Sequence, residues 1–113
     1  MVEARHDIHI KRGETYRQDF IFKYQESGEI CDLTGIDIRS QVRPSKDSPI
    51  LTQDITVEVF LDEGRVQLSI ADEDTAKINQ GFYEWDLRLT DSASGQVAYY
   101  VWGQFLITGR VTI

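Results

Sequence analysis

The stretch GFYEWDLRLTD, Gly81 to Asp91, decides the fold. Tyr83, Trp85, Leu87 and Leu89 fall on one parity and Glu84, Asp86, Arg88 and Thr90 on the other. This period of two marks a strand with one face in a core and the other in water. We expect a central strand in which Tyr83, Trp85 and Leu87 are core anchors. Asp86 belongs to the outward set, where pairing with a neighbouring strand or with solvent is expected of it.

Beyond this strand, DSASGQ (Asp91 to Gln96) is a polar turn, and VAYYVWGQFLITG follows. Val97, Tyr99, Val101, Phe105 and Ile107 share a parity, with Gly103 between them and Phe105 as a further core anchor. The opposite parity carries Tyr100, Trp102 and Leu106. The strand is therefore either covered on both faces or presents an assembly surface, and these three residues are its candidate protein interface. Gly103 marks a bulge or a close crossing. Arg110 to Ile113 extends the strand or leads the chain out.

Towards the N-terminus, Gly81 follows ADEDTAKI, which reads as one or two helical turns capped by Asp72. Before it, Ile55, Val57, Val59 and Leu61 share a face, Asp62-Glu63-Gly64 turns, and Val66, Leu68 and Ile70 share the next face, predicting a hairpin. Phe60, off the parity, covers a neighbour or marks a bulge. SKDSPI is a loop, and Pro44 ends the strand in which Ile36, Ile38, Ser40 and Val42 point together. Tyr16 to Tyr24 is a strong strand with core anchors Phe20 and Phe22 on one face. His6 to Lys11 is a short first strand, with Ile8 and Ile10 inward.

Seven or eight short strands, roughly, with no interval long enough for a crossover helix, predict an all-β fold in one domain, residues 1–113. The expected architecture is an antiparallel sandwich with one short helical turn, and a small β-barrel is the alternative. Twelve Lys and Arg against nineteen Asp and Glu give a net charge of -7, a field that opposes a nucleic-acid partner. The apolar runs fall short of the roughly 20 residues that cross a bilayer, so no membrane role is expected. The single cysteine, Cys31, allows no intrachain disulfide and fits a reducing compartment or a particle assembled inside a cell.

Chemistry finds little purchase. Asp62-Glu63 and Asp72-Glu73-Asp74 lack the spacing and glycine of a calcium loop and read as solvated turns. There is no nucleophile elbow and no glycine-rich phosphate cradle. No catalytic residue, cofactor or metal is expected, and the chain reads as a non-enzyme. Tyr100 and Trp102 keep a second possibility open, a carbohydrate-binding or host-surface-binding module.

The ordered segments KRGETYRQDFIF, LTGIDIRSQVR, GRVQLSI, DEDTAKI, GFYEWDLRL and GQFLITGRVT together resemble a small β-sandwich module of tailed-phage and prophage virion proteins. That family includes the N-terminal domain of baseplate upper proteins that anchor receptor-binding proteins. The resemblance covers nearly the whole chain. It implies an immunoglobulin-like sandwich in a virion assembled in the host cytoplasm. There it would act as a tail, baseplate or head–tail adaptor, with other virion structural proteins as partners and no chemistry of its own. Self-association through the two-faced strand from Val97 to Ile107 is a further expectation.

Overall fold

The computed structural model describes residues 2–109. It contains strands β1 (Val2–Arg5), β2 (Ile8–Lys11), β3 (Tyr16–Ile21), β4 (Ile36–Arg43), β5 (Gln53–Asp54), β6 (Thr56–Phe60), β7 (Arg65–Ile70), β8 (Gly81–Asp91) and β9 (Val97–Thr108). A single turn of helix, α1 (Asp72–Thr75), joins β7 to β8. The expectation for Arg110 to Ile113 lies outside the described residues. No helix among the described residues is long and apolar enough to cross a membrane.

Two sheets face each other. One has six strands in the order β1-β9-β8-β4-β5, with β2 also paired to β9, and the other has the order β3-β7-β6. This is a sandwich and not a closed barrel. β8 lies between β4 and β9, antiparallel to both, and its Trp85, Leu87 and Leu89 are buried. From the facing sheet Val66, Leu68 and Ile70 project into the same core, and Phe105 and Ile107 of β9 complete it. The inward parities of β4, β7, β8 and β9 follow the alternation of their sequences, because burying one apolar row per strand is what holds two sheets together.

Of the expected anchors, Phe22, Trp85, Leu87 and Phe105 are buried, while Phe20 and Tyr83 are half-buried and pack against the core from its margin. Val59 and Leu61 depart from the expected inward row, being 37% and 51% exposed. β6 is the edge strand of the smaller sheet, paired on one side only, to β7. Phe60 lies beneath the Arg65 guanidinium, 3.9 Å from its ring centroid. Ile55 is where the chain changes sheets. Its N–H donates to the Ser40 carbonyl of β4 at 3.0 Å, while the next residue, Thr56, already pairs with Ser69 of β7.

Three local expectations need correction. The helical turn has Ala71 at its N-cap with no side-chain cap bond, and the Asp72 carboxylate accepts the Glu73 N–H instead. Thr75 and Arg12 tie the turn down. The fully buried Thr75 hydroxyl donates to the Glu14 carbonyl at 2.7 Å, and Arg12 donates from Nη2 to the Ala76 carbonyl at 2.7 Å. The first strand begins at Ile8, not His6, and is preceded by β1. Both run parallel to β9, so the pairing is not wholly antiparallel.

Gly103 explains the break between β1 and β2. His6 and Asp7 bend inward over β9, and a Cβ on Gly103 would lie 2.7 Å from Asp7 Oδ1 and 2.8 Å from the His6 carbonyl carbon. Only glycine leaves room for this approach. The His6 N–H donates to the Trp102 carbonyl at 2.9 Å, and Asp7 accepts the Gln104 N–H at 2.9 Å, which holds its carboxyl below the usual range. The His6 carbonyl accepts the Trp85 indole N–H at 2.7 Å.

β8 also carries an immunoglobulin-type corner. The Tyr83 hydroxyl donates back to the Asn79 carbonyl at 2.7 Å, and in immunoglobulin domains the residue two places after this tyrosine is the second cysteine of the inter-sheet disulfide. Here that residue is Trp85, which meets Phe20 of β3 at 6.1 Å between ring centroids. An aromatic contact spans the sheets where a disulfide would. The architecture is an immunoglobulin-like β-sandwich.

Candidate functional site

The outer face of the six-stranded sheet gathers the outward parities of four strands. Along β8 these are Phe82, Glu84, Asp86 and Arg88, and along β9 they are Tyr100, Trp102, Gln104 and Leu106. Register places Asp86 opposite Trp102, Arg88 opposite Tyr100 and Phe82 opposite Leu106. On the far side of β8, Gln41 stands opposite Asp86 and Arg43 opposite Glu84. On the far side of β9, Glu3 stands opposite Tyr100 and Arg5 opposite Trp102. Directly opposed residues share a face, so these side chains form one surface.

All three residues expected at an interface lie on this face. Trp102 is 39% exposed, whereas Tyr100 and Leu106 are half-buried. Phe82, not singled out from sequence, is the most exposed large apolar side chain among the described residues, at 71%. The face is therefore partly apolar, in contrast to the solvated polar outer face usual for such a sheet.

Around Tyr100 and Trp102 the surface dips into a cleft of about 370 Å³ whose lining includes Glu3, Arg5, Arg43, Lys46, Glu84 and Asp86. The Arg5 guanidinium lies over the Trp102 ring at 5.4 Å from the centroid and pairs with Asp7 at 3.2 Å. Arg43 is held by the Ser48 carbonyl at 3.1 Å and by Gln41 Oε1 at 2.9 Å. The Asp86 backbone carbonyl accepts the buried Ser40 hydroxyl at 2.6 Å, which fixes the strand at that point. The Asp86 carboxylate meets the Tyr100 hydroxyl at 3.4 Å and Arg88 at 3.7 Å. Burial raises the Asp86 pKa above the ordinary carboxylate value, against the opposing pull of Arg88, the Tyr100 hydroxyl, the Gln41 backbone and Arg43. Burial likewise raises that of Tyr100, with Asp86 adding to it.

The lining contains no serine, cysteine or histidine, and its polar groups are carboxylates, cations, side-chain amides and the Tyr100 hydroxyl. Among the described residues no group of three or more His, Cys, Asp or Glu is placed to hold a metal ion. Cys31 is buried on the opposite side of the large sheet, with its sulfur 3.2 Å from the Tyr99 hydroxyl.

Sequence reasoning found the aromatic half of this site and missed the polar half. Glu84 and Asp86 were assigned to the outward set of their strand, and Tyr100 and Trp102 to that of theirs. The signal joining the two sets is the register of β8 on β9. Glu3, Arg5, Arg43 and Lys46 carried no signal of their own, since they come from separate strands and a loop.

No protein-family model matches this chain, and no curated protein matches it. Among solved structures it is similar to InlP of Listeria monocytogenes, with a TM-score of 0.53 and 14% identity over 94% of this chain. The match spans 27% of the length of InlP. It is also similar to the NK cell receptor Nkp44, a triggering partner in natural cytotoxicity, with a TM-score of 0.51 and 10% identity over 95% of this chain and 97% of that one. At these identities the likeness is one of fold, and it agrees with the strand order, the tyrosine corner and the two facing sheets: the chain is an immunoglobulin-like β-sandwich.

Proposed function

We propose that this chain is a non-enzymatic structural protein of a tailed-phage or prophage virion, a tail, baseplate or head–tail adaptor that acts through protein–protein contacts. The observation that carries the binding part is the outer face of β8 and β9, which presents Phe82, Tyr100, Trp102 and Leu106, with Tyr100 and Trp102 lining a cleft among charged groups. Exposed aromatics ringed by polar side chains are the composition of interface centres. The virion part is supported by the ordered sequence resemblance, whose implied fold the chain has. The partners are other virion structural proteins, and the chain assembles with them in the host cytoplasm.

The test mixes the purified chain with the structural proteins encoded by neighbouring genes and measures complex mass by light scattering after size exclusion. A stoichiometric complex is expected, weakened roughly tenfold or more by Trp102→Ala. If purified virions lack this polypeptide and it binds no virion protein, the proposal fails. A second reading, a saccharide-binding module, is favoured by the size of the cleft beside Tyr100 and Trp102, which suits a small ligand. Saturable glycan binding lost in Trp102→Ala, without any protein complex, would move the assignment there.

A further inference from the structure

Among the described strands β6 has the least protected edge. Sheets keep other strands off a free edge with charges, proline or extreme shortness. Here β5 is two residues long, β1 carries Glu3 and Arg5, β2 ends on Lys11, and β3 carries Arg17 and Asp19. β6, Thr56-Val57-Glu58-Val59-Phe60, has a single charge and no proline. Its inward row is also left uncovered. Val59 stands opposite the fully buried Val66 and so faces the gap between the sheets, yet it is 37% exposed, and Leu61, two residues on, is 51% exposed. β4, in the other sheet, is open on the same side. β5 pairs only with its Gln41 and Val42, and Ile36 and Ile38 beyond them are half-buried.

We propose that β6 pairs antiparallel with β6 of a second copy of this chain, about a two-fold axis at Val59, joining two three-stranded sheets into one continuous sheet. A pairing centred on Glu58 would set that carboxylate directly against its own copy, which is unfavourable. One centred on Val57 would run Val59 against Ile55, where the chain crosses to the other sheet. An axis between two residues would oppose the inward row of one copy to the outward row of the other. Centred on Val59, the pairing sets Val59 against its copy and Val57 beside Leu61, so the uncovered apolar groups cover one another. On the outer side Glu58 comes opposite Phe60 of the second copy, over whose ring the Arg65 guanidinium lies at 3.9 Å from the centroid. That guanidinium donates from Nε to Glu63 and from Nη1 to Asp19, and its Nη2 has no acceptor among the described residues. Glu58 has no ion-pair partner among them either. A second copy fits this edge because one short segment supplies both halves of every contact, as a two-fold interface requires. The edge belongs to the smaller sheet and is separate from the outer face of β8 and β9, so the pairing stands independently of the adaptor reading.

The test is sedimentation equilibrium of the full chain from low micromolar to millimolar concentration. A weak monomer–dimer equilibrium is expected, because a strand of 5 residues a side buries less than a standard interface. Val59→Lys should abolish the dimer over the same range, since it sets two ammonium groups face to face at the axis, with an unchanged fluorescence spectrum showing that the variant folds. Glu58→Gln, at an exposed position where the fold is not at risk, should raise the dissociation constant roughly threefold or more, because the two-fold loses the contact twice. Trp102→Ala should leave the dimer unchanged. A chain that stays monomeric throughout overturns the proposal, as does a dimer that survives Val59→Lys. A dimer tightened by Glu58→Gln overturns the register centred on Val59, and one lost in Trp102→Ala overturns the β6 edge in favour of β9. A monomer whose complex with a virion protein is lost in Val59→Lys assigns the edge to a foreign strand and overturns the second copy.

Discussion

Gly103→Ala adds one methyl group at the point where the bend between β1 and β2 crosses β9. The new carbon would lie 2.7 Å from Asp7 Oδ1 and 2.8 Å from the His6 carbonyl carbon, with the His6 carbonyl oxygen nearer still. Asp7 can swing aside only by giving up the Gln104 N–H at 2.9 Å. The His6 peptide cannot, because its N–H is held by the Trp102 carbonyl and its carbonyl by the Trp85 indole. Relief therefore requires lifting the bend off the sheet. That forfeits three hydrogen bonds at about 1 kcal/mol each, one of them to a side chain that is 2% exposed and cannot turn to water instead. The sum, about 3 kcal/mol, sits at the upper end of overpacking costs and corresponds to a fall in Tm of roughly 10–20 °C. Urea unfolding followed by tryptophan fluorescence reads it directly. A variant within about 0.5 kcal/mol of the parent would refute the reasoning, since that is the range of surface changes. Faster exchange confined to the His6 and Gln104 amides, with the unfolding midpoint unmoved, would equally refute the claim that the bend belongs to the cooperative core.

Tyr16 is 6% exposed and its hydroxyl has no hydrogen-bond partner among the described residues, so Tyr16→Phe should be neutral or stabilising by about 1 kcal/mol in the same urea assay. The ring keeps its edge-on contact with Phe105, and a loss of stability would show that the hydroxyl has a partner after all. Tyr99 titrates at about 12 in the fold, raised by its hydrogen bond to Cys31 and then by burial, against an ordinary value of 10.0. Because the folded pKa lies above the unfolded one, this contribution to stability is whole below pH 10 and is lost as pH rises towards 12. Cys31→Ala should lower the tyrosinate titration of Tyr99 towards 10 and flatten the alkaline loss of stability, and an unchanged titration curve would count against the Cys31 contact as its cause.

Much of the fold was legible because strand periodicity is local. The bounds and inward row of Gly81–Asp91 can be written from the sequence, since a residue's face depends only on its parity. The hairpin of β6 and β7 was legible for the same reason, its turn chemistry lying within a few residues. β1 was not, because VEAR has no strong alternation and becomes a strand only by pairing with the backbone of β9 at the other end of the chain. Asp72 misled because acidic residues at a helix start look alike in sequence, and which one caps depends on where the chain enters the turn.

By itself the sequence determined an all-β chain, the inward and outward rows of its longest strands, and the aromatic character of one outer face. Only the tertiary structure decided that β1 and β2 run parallel to β9, that Gly103 makes way for His6, and that Trp85 stands where a disulfide would bridge the sheets. It alone brought Asp86 under Tyr100 and set Arg5 over Trp102. The physical reason is that alternation assigns a side chain to a face, whereas its neighbours on that face are chosen by strand order and register, which arise when distant backbones pair around a common core.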